Sequence, residues 1–220
     1  MLIAAGVGME EVDEGVNAQR DADKESNGSK MDGHSDRRKN KSYSLLEITN
    51  PFHVELPRSL VEVVIYWNVP THRWLKNYVF RPAHPIVGAP LAILITYAIS
   101  ALLHGLNFQL AAVLFSLGLY SFVEHKLRSK LARIFDACIA ARACRNCRHR
   151  NGSHVVWVKW TNSFFGLVSM FHLAYLGVGF DNGEEQSAGY SMNHVMDKWG
   201  KLGYASHIVA MAFGVLAFIV

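Results

Sequence analysis

Residues 86–103 read IVGAPLAILITYAISALL, eighteen consecutive positions without a charge. At a helical rise of about 1.5 Å per residue this run is about 27 Å long, close to the hydrocarbon thickness of a bilayer. The stretch is expected to cross a membrane as a helix. Residues 110–123, LAAVLFSLGLYSFV, are also uncharged but short for a span of their own. They should be tilted, buried among other helices, or prolonged by the amphipathic residues after Glu124. Residues 161–180, broken only by His172, are a second full-length candidate, and residues 203–220, with His207 near their start, are a third. The fold class implied is all-α, a polytopic transmembrane helix bundle over residues 42–220.

The charges are distributed to match. Residues 1–41 hold nine of the 18 acidic residues and no aromatic one. Such a segment buries too little apolar surface to offset the cost of ordering it, so a disordered, charged N-terminal tail is expected. Its opening MLIAAGVGM lacks a basic start and meets Glu10 and Glu11 too soon to read as a signal peptide. From Lys126 to Arg150 there are eight basic residues against the single acid Asp136, which places that segment in the cytosol by the positive-inside rule. Arg73, Lys76 and Arg81, before residue 86, agree with two crossings between the basic segments. The turn at His104–Gln109 then faces the luminal side. The net charge of +4 reports topology and contact with membrane lipid. No nucleic acid is expected as a partner, because no aromatic-studded soluble basic domain remains to bind one.

Ser59 and Glu62 have capping-box spacing ahead of a β-branched run. A short helix ending at Trp67 and Asn68, before Pro70, is expected, with a strand as the alternative. His104 closes an uncharged helix in the string LLHG, and an ionisable side chain at membrane depth is a functional candidate. The competing reading is a histidine hydrogen-bonded between packed helices. If desolvated, its imidazole would stay neutral and able to accept a proton. Tyr97, Ser100 and His104 share one helical face. That stripe is either a pocket wall or ordinary interhelical hydrogen bonding, the second being the stronger reading for Tyr97 and Ser100 taken singly. Trp67, Tyr97 and Ser100 are the candidates for substrate contact. Asn68 is a turn residue or a buried amide that orients a carbonyl. Cys144, Cys147, His149 and His154 imitate a zinc set, but the CxxC is single and arginines surround it. No metal and no bound cofactor are expected, and the loop is read as contacting anionic headgroups.

Five strings in order, ELPRSLVEVVIYWNVP (55–70), WLKNYVF (74–80), ITYAISALLHG (95–105), VEHKLRSKLARI (123–134) and FHLAYLG (171–177), resemble the C-terminal part of the membrane-bound O-acyltransferase family. The resemblance implies a multi-pass enzyme of the endoplasmic reticulum membrane. It would move palmitoleate from palmitoleoyl-CoA, an acyl-CoA co-substrate, to a serine of a secreted Wnt-type protein. The family's histidine falls on His104 and its upstream Asn or Asp on Asn68. His104 would act as general base, with Asn68 holding the thioester or the developing oxyanion. Family members carry many helices ahead of this region, so the chain is expected to be partial and inactive alone. The alternatives are an inactive remnant, an enzyme for another hydroxyl acceptor, and a proton-coupled carrier using His104 and His172.

Overall fold

The computed structural model describes residues 48–180, apart from 106, 145, 146 and 148, together with residues 192–220. The charged stretch 1–41 lies outside the described residues. Every regular element described is helical; the one extended feature among these residues is an isolated bridge between Ala137 and Asn151. In chain order the elements are α1 (Pro51–Glu55), α2 (Leu60–Tyr66), α3 (Val69–Leu75), a π turn (Lys76–Phe80), α4 (Arg81–Leu103), α5 (Phe108–Ile134), α6 (Val156–Gly177), α7 (Met192–Lys201) and α8 (Ala205–Ile219).

The run after Ser59 is a helix and not a strand because its first turn is capped. The Ser59 hydroxyl oxygen accepts from the Glu62 amide at 3.3 Å, satisfying an N–H that has no partner within the helix. α3 starts in the same way, with the Asn68 side-chain oxygen accepting from Thr71 N at 3.1 Å and Pro70 in the first turn.

Between α3 and the end of α4 the chain turns back on itself. Gly88, between Pro85 and Pro90, has φ 76 and ψ 170, a conformation that side chains disfavour. Leu75, Val79 and Phe80 from before this point pack in one buried cluster with Ala92, Ile93 and Tyr97 from after it. A straight helix from Val69 to Leu103 would be about 52 Å long and would keep those residues apart. The π turn, with Leu75 just before it, therefore packs back against the second half of α4, and the expected span at 86–103 begins at a bend. Gly105, at φ 87, stops α4.

α5 is the hub and touches α2, α4, α6, α7 and α8. Asn107 caps it by accepting from Gln109 N at 2.9 Å. It runs 27 residues, past Glu124 to Ile134, so the prolongation anticipated from sequence is what gives it spanning length. By length and composition, Val69–Leu103, taken across its bend at Gly88, and Phe108–Ile134 are the membrane-crossing candidates among the described residues. Two expected full-length spans need correction. α6 has the length, 22 residues, but polar positions such as Asn162, Ser169 and His172 keep it out of that class. α8 has 15 residues, about 22 Å, because Gly203 and Tyr204 adopt positive φ and fix its start. It reaches spanning length only jointly with α7, across a bend of 77°. Large apolar side chains cover the outside, with Ile86 82 %, Leu167 72 % and Phe218 88 % exposed. Apolar surface on that scale suits lipid or further helices as neighbours.

Candidate functional site

The reversal at Gly88 turns the two strings quoted for their polar residues toward each other. A cavity of about 470 Å³ lies between them, and Trp67, Asn68, Tyr97, Ser100 and His104 all line it. Leu114 and Leu117 of α5 and Leu173 and Leu176 of α6 form the opposite, apolar wall. Ser100 and Tyr97 are buried, whereas Trp67 is 66 % exposed and His104 and Asn68 are exposed. The polar groups thus run from the cavity's interior to its mouth.

Each is held by local structure. His104 sits at the C-terminus of α4, where its backbone N–H reaches the carbonyls of Ser100 and Ala101 at 3.3 and 3.2 Å. Its side chain is exposed at the end of the helix, so the described residues do not supply the burial anticipated for it. Asn68 is the N-cap of α3, its oxygen committed to Thr71, which leaves its NH2 as the donating group. Tyr97 lies flat against α5, because a Cβ on Gly118 would come within 2.5 Å of its ring. Only glycine permits that approach.

The sequence reading missed three features. His72, buried at 8 %, also lines the cavity from α3; its i+4 offset from Asn68 was a signal, hidden by its place among basic residues. His172 is not isolated among apolar side chains. It hydrogen-bonds Ser206 and packs 4.6 Å from the Tyr120 ring, while its neighbours Leu173 and Leu176 face the cavity. Arg128 is no loop charge. It is fully buried in α5, donates to Glu124 at 3.0 Å, Asn162 Oδ1 at 2.7 Å and the carbonyls of Arg58, Ile139 and Ala140, and lies 4.6 Å from the Phe165 ring. Glu124 in turn accepts from Leu60 N at 3.0 Å. This ion pair, at the i,i+4 spacing visible in sequence, fixes α2 and hence Asn68 against α5.

The loop after α5 is ordered by the same network. Arg58 Nη2 donates to Cys138 O at 2.7 Å, and Asn162 Nδ2 donates to the same oxygen at 3.2 Å. Asp136 accepts from Arg150 N and pairs with His149 at 3.2 Å, which together hold its carboxyl below the usual range. The suspected set of Cys144, Cys147, His149 and His154 is not what assembles. Cys138 joins Cys144 and Cys147, all three thiol sulfurs lying within 4.8 Å of one another. Burial pushes the Cys144 thiol up to about 11, and its thiol neighbours add to this.

Residues 44–145, which include all five cavity residues flagged from sequence, match the membrane-bound O-acyltransferase family. This segment belongs to that family. The chain is also similar to named members of it. It is 47 % identical over 168 residues to the human protein-serine O-palmitoleoyltransferase porcupine, covering 74 % of this chain and 36 % of that protein. The Anopheles gambiae porcupine is 42 % identical over 167 residues, with 74 % of this chain and 34 % of the relative covered. The Drosophila melanogaster porcupine is 35 % identical over 185 residues, 77 % and 35 % covered. The chain spans about a third of the length of these relatives.

Proposed function

We propose that the chain carries the acyl-transfer site of a protein-serine O-palmitoleoyltransferase, with palmitoleoyl-CoA as donor and a serine of a Wnt-type secreted protein as acceptor. The observation that carries this reading is the convergence of Trp67, Asn68, Tyr97, Ser100 and His104 on one cavity with apolar walls. Such a cavity suits an acyl chain along its leucines and a thioester at its polar end.

His104 takes the proton from the acceptor serine as its oxygen attacks the thioester carbonyl. The carbon–sulfur bond then breaks, coenzyme A leaves as thiolate, and the imidazolium returns the proton to it. The NH2 of Asn68 donates to the carbonyl oxygen as negative charge develops there. Trp67, Tyr97 and Ser100 position the donor. The reaction takes place at the endoplasmic reticulum membrane, where a cytosolic donor and a luminal acceptor meet. The carrier reading is less well supported, because His172 is bonded to Ser206 and is not among the residues that line the cavity with His104.

The test replaces the matching third of the human relative with this segment and follows labelled palmitoleoyl transfer to a Wnt peptide. His104→Ala should lower kcat by roughly 10²–10⁴-fold, the usual contribution of a positioned base, without loss of membrane insertion. Near-normal transfer by an inserted variant would remove His104 from the mechanism.

A further inference from the structure

None of the three clustered cysteines lines the cavity, and the acyl-transfer reading does not use them. Cys138 is buried at 2 %, Cys144 is half-buried and Cys147 is exposed, and all three are free thiols. The backbone around Cys138 is held independently of any metal. Cys138 N donates to Asn151 O at 2.9 Å beside the Ala137–Asn151 bridge, and Arg58, Arg128 and Asn162 occupy the carbonyls of Cys138, Ile139 and Ala140.

We propose that Cys138, Cys144 and Cys147 bind a zinc ion that closes the loop between α5 and α6. Thiolates sharing a tetrahedral zinc, with Zn–S near 2.3 Å, stand about 3.8 Å apart. The sulfurs already lie within 4.8 Å of one another, so small side-chain adjustments complete the geometry. Cys144 and Cys147 supply the short CxxC arm, and Cys138 supplies the long one. Among the described residues no fourth His, Cys, Asp or Glu meets all three sulfurs, and a water takes the remaining position. Binding releases the three thiol protons to solvent.

Charge favours this site, contrary to the expectation from sequence. Arginines oppose a bare cation, but one zinc ion with three thiolates is a complex of charge −1. Arg58, whose guanidinium sits 2.7 Å from the Cys138 carbonyl, then stands beside an anion and stabilises it.

The full chain, purified in detergent from zinc-supplemented cells, should contain about one zinc per chain by elemental mass spectrometry. Its Cys147 should react with a thiol reagent at least about tenfold faster once a chelator has been added. Cys138→Ser, Cys144→Ser and Cys147→Ser should each lose the zinc. Because a serine variant could simply misfold, cobalt is also added to the stripped wild-type chain, where thiolate-to-cobalt charge-transfer absorbance is expected. Negligible zinc together with no cobalt–thiolate band, three thiols alkylated at a chelator-independent rate, or a disulfide between any two of them would each overturn the proposal.

Discussion

Asn68 has one observed and one proposed job that substitution can separate. Its oxygen caps α3 through Thr71, and its NH2 is the group left for the proposed donation to the thioester. Asn68→Asp keeps a capping oxygen and loses the donor, whereas Asn68→Ala loses both and costs about 1 kcal/mol of helix stability. Transfer assays on the segment within a full-length relative should rank wild type above Asp and Asp above Ala. If Ala exceeded Asp, the cap and the orienting role would both be in doubt. Arg128 is the second informative residue. Its planar fork reaches five acceptors on the segment before α2, on α5 and α6 and on the loop between those two, and the point charge of lysine cannot match that geometry. Arg128→Lys should lower stability by at least about 2 kcal/mol, since several buried carbonyls lose their donors. Thermal unfolding in detergent would measure it, and an unchanged midpoint would show that the network is not what holds α2 in place.

At the scale of elements, the cavity depends on how closely α4 and α5 approach. Gly118→Ala would place a methyl carbon 2.5 Å from the Tyr97 ring and so force either the ring or the helix to move. Overpacking of this kind costs about 1–3 kcal/mol, and here the displaced group is a cavity wall. A raised KM for palmitoleoyl-CoA is expected, with a smaller change in kcat; an unaltered KM would mean that Tyr97 does not border the donor. The helices themselves were legible because uncharged runs and caps are local signals: Ser59 and the 86–103 and 110–123 stretches announce their elements. The stripe of Tyr97, Ser100 and His104 was legible from period alone. What was not legible depends on contacts distant in sequence. The reversal at Gly88 shows in the string HPIVGAP only as a helix-breaking signal, and it is this reversal that puts Asn68 and His104 on one cavity. Arg128 looked like a topological charge because its partners Asn162 and Ile139 lie beyond the helix end. Cys138 was left out of the suspected zinc set because five residues separate it from the CxxC, and only the folded loop brings the three sulfurs together.

For the whole molecule, the question is whether this chain alone would enclose the proposed reaction. The cavity's walls come from the α2–α3 corner, α4, α5 and α6, yet Trp67, Asn68 and His104 are exposed at its mouth. Catalysis by a positioned base requires the serine, the thioester and the imidazole to be held together with water excluded. An open mouth weakens both conditions. The outward apolar surface, including Ile86, Leu167 and Phe218, leaves ample area against which further helices could pack and close it. The 220-residue chain in membranes should therefore transfer palmitoleate at least roughly 10²-fold more slowly than the same segment installed in a full-length relative, the size of loss that follows misplacement of reacting groups. Membrane insertion should be equal in the two, as judged by resistance to alkaline extraction. Supplying the relative's N-terminal part as a separate polypeptide should recover activity if its helices complete the mouth. Equal turnover by the chain alone would show that the exposed residues need no covering, and that lipid around His104 and Trp67 suffices to exclude water.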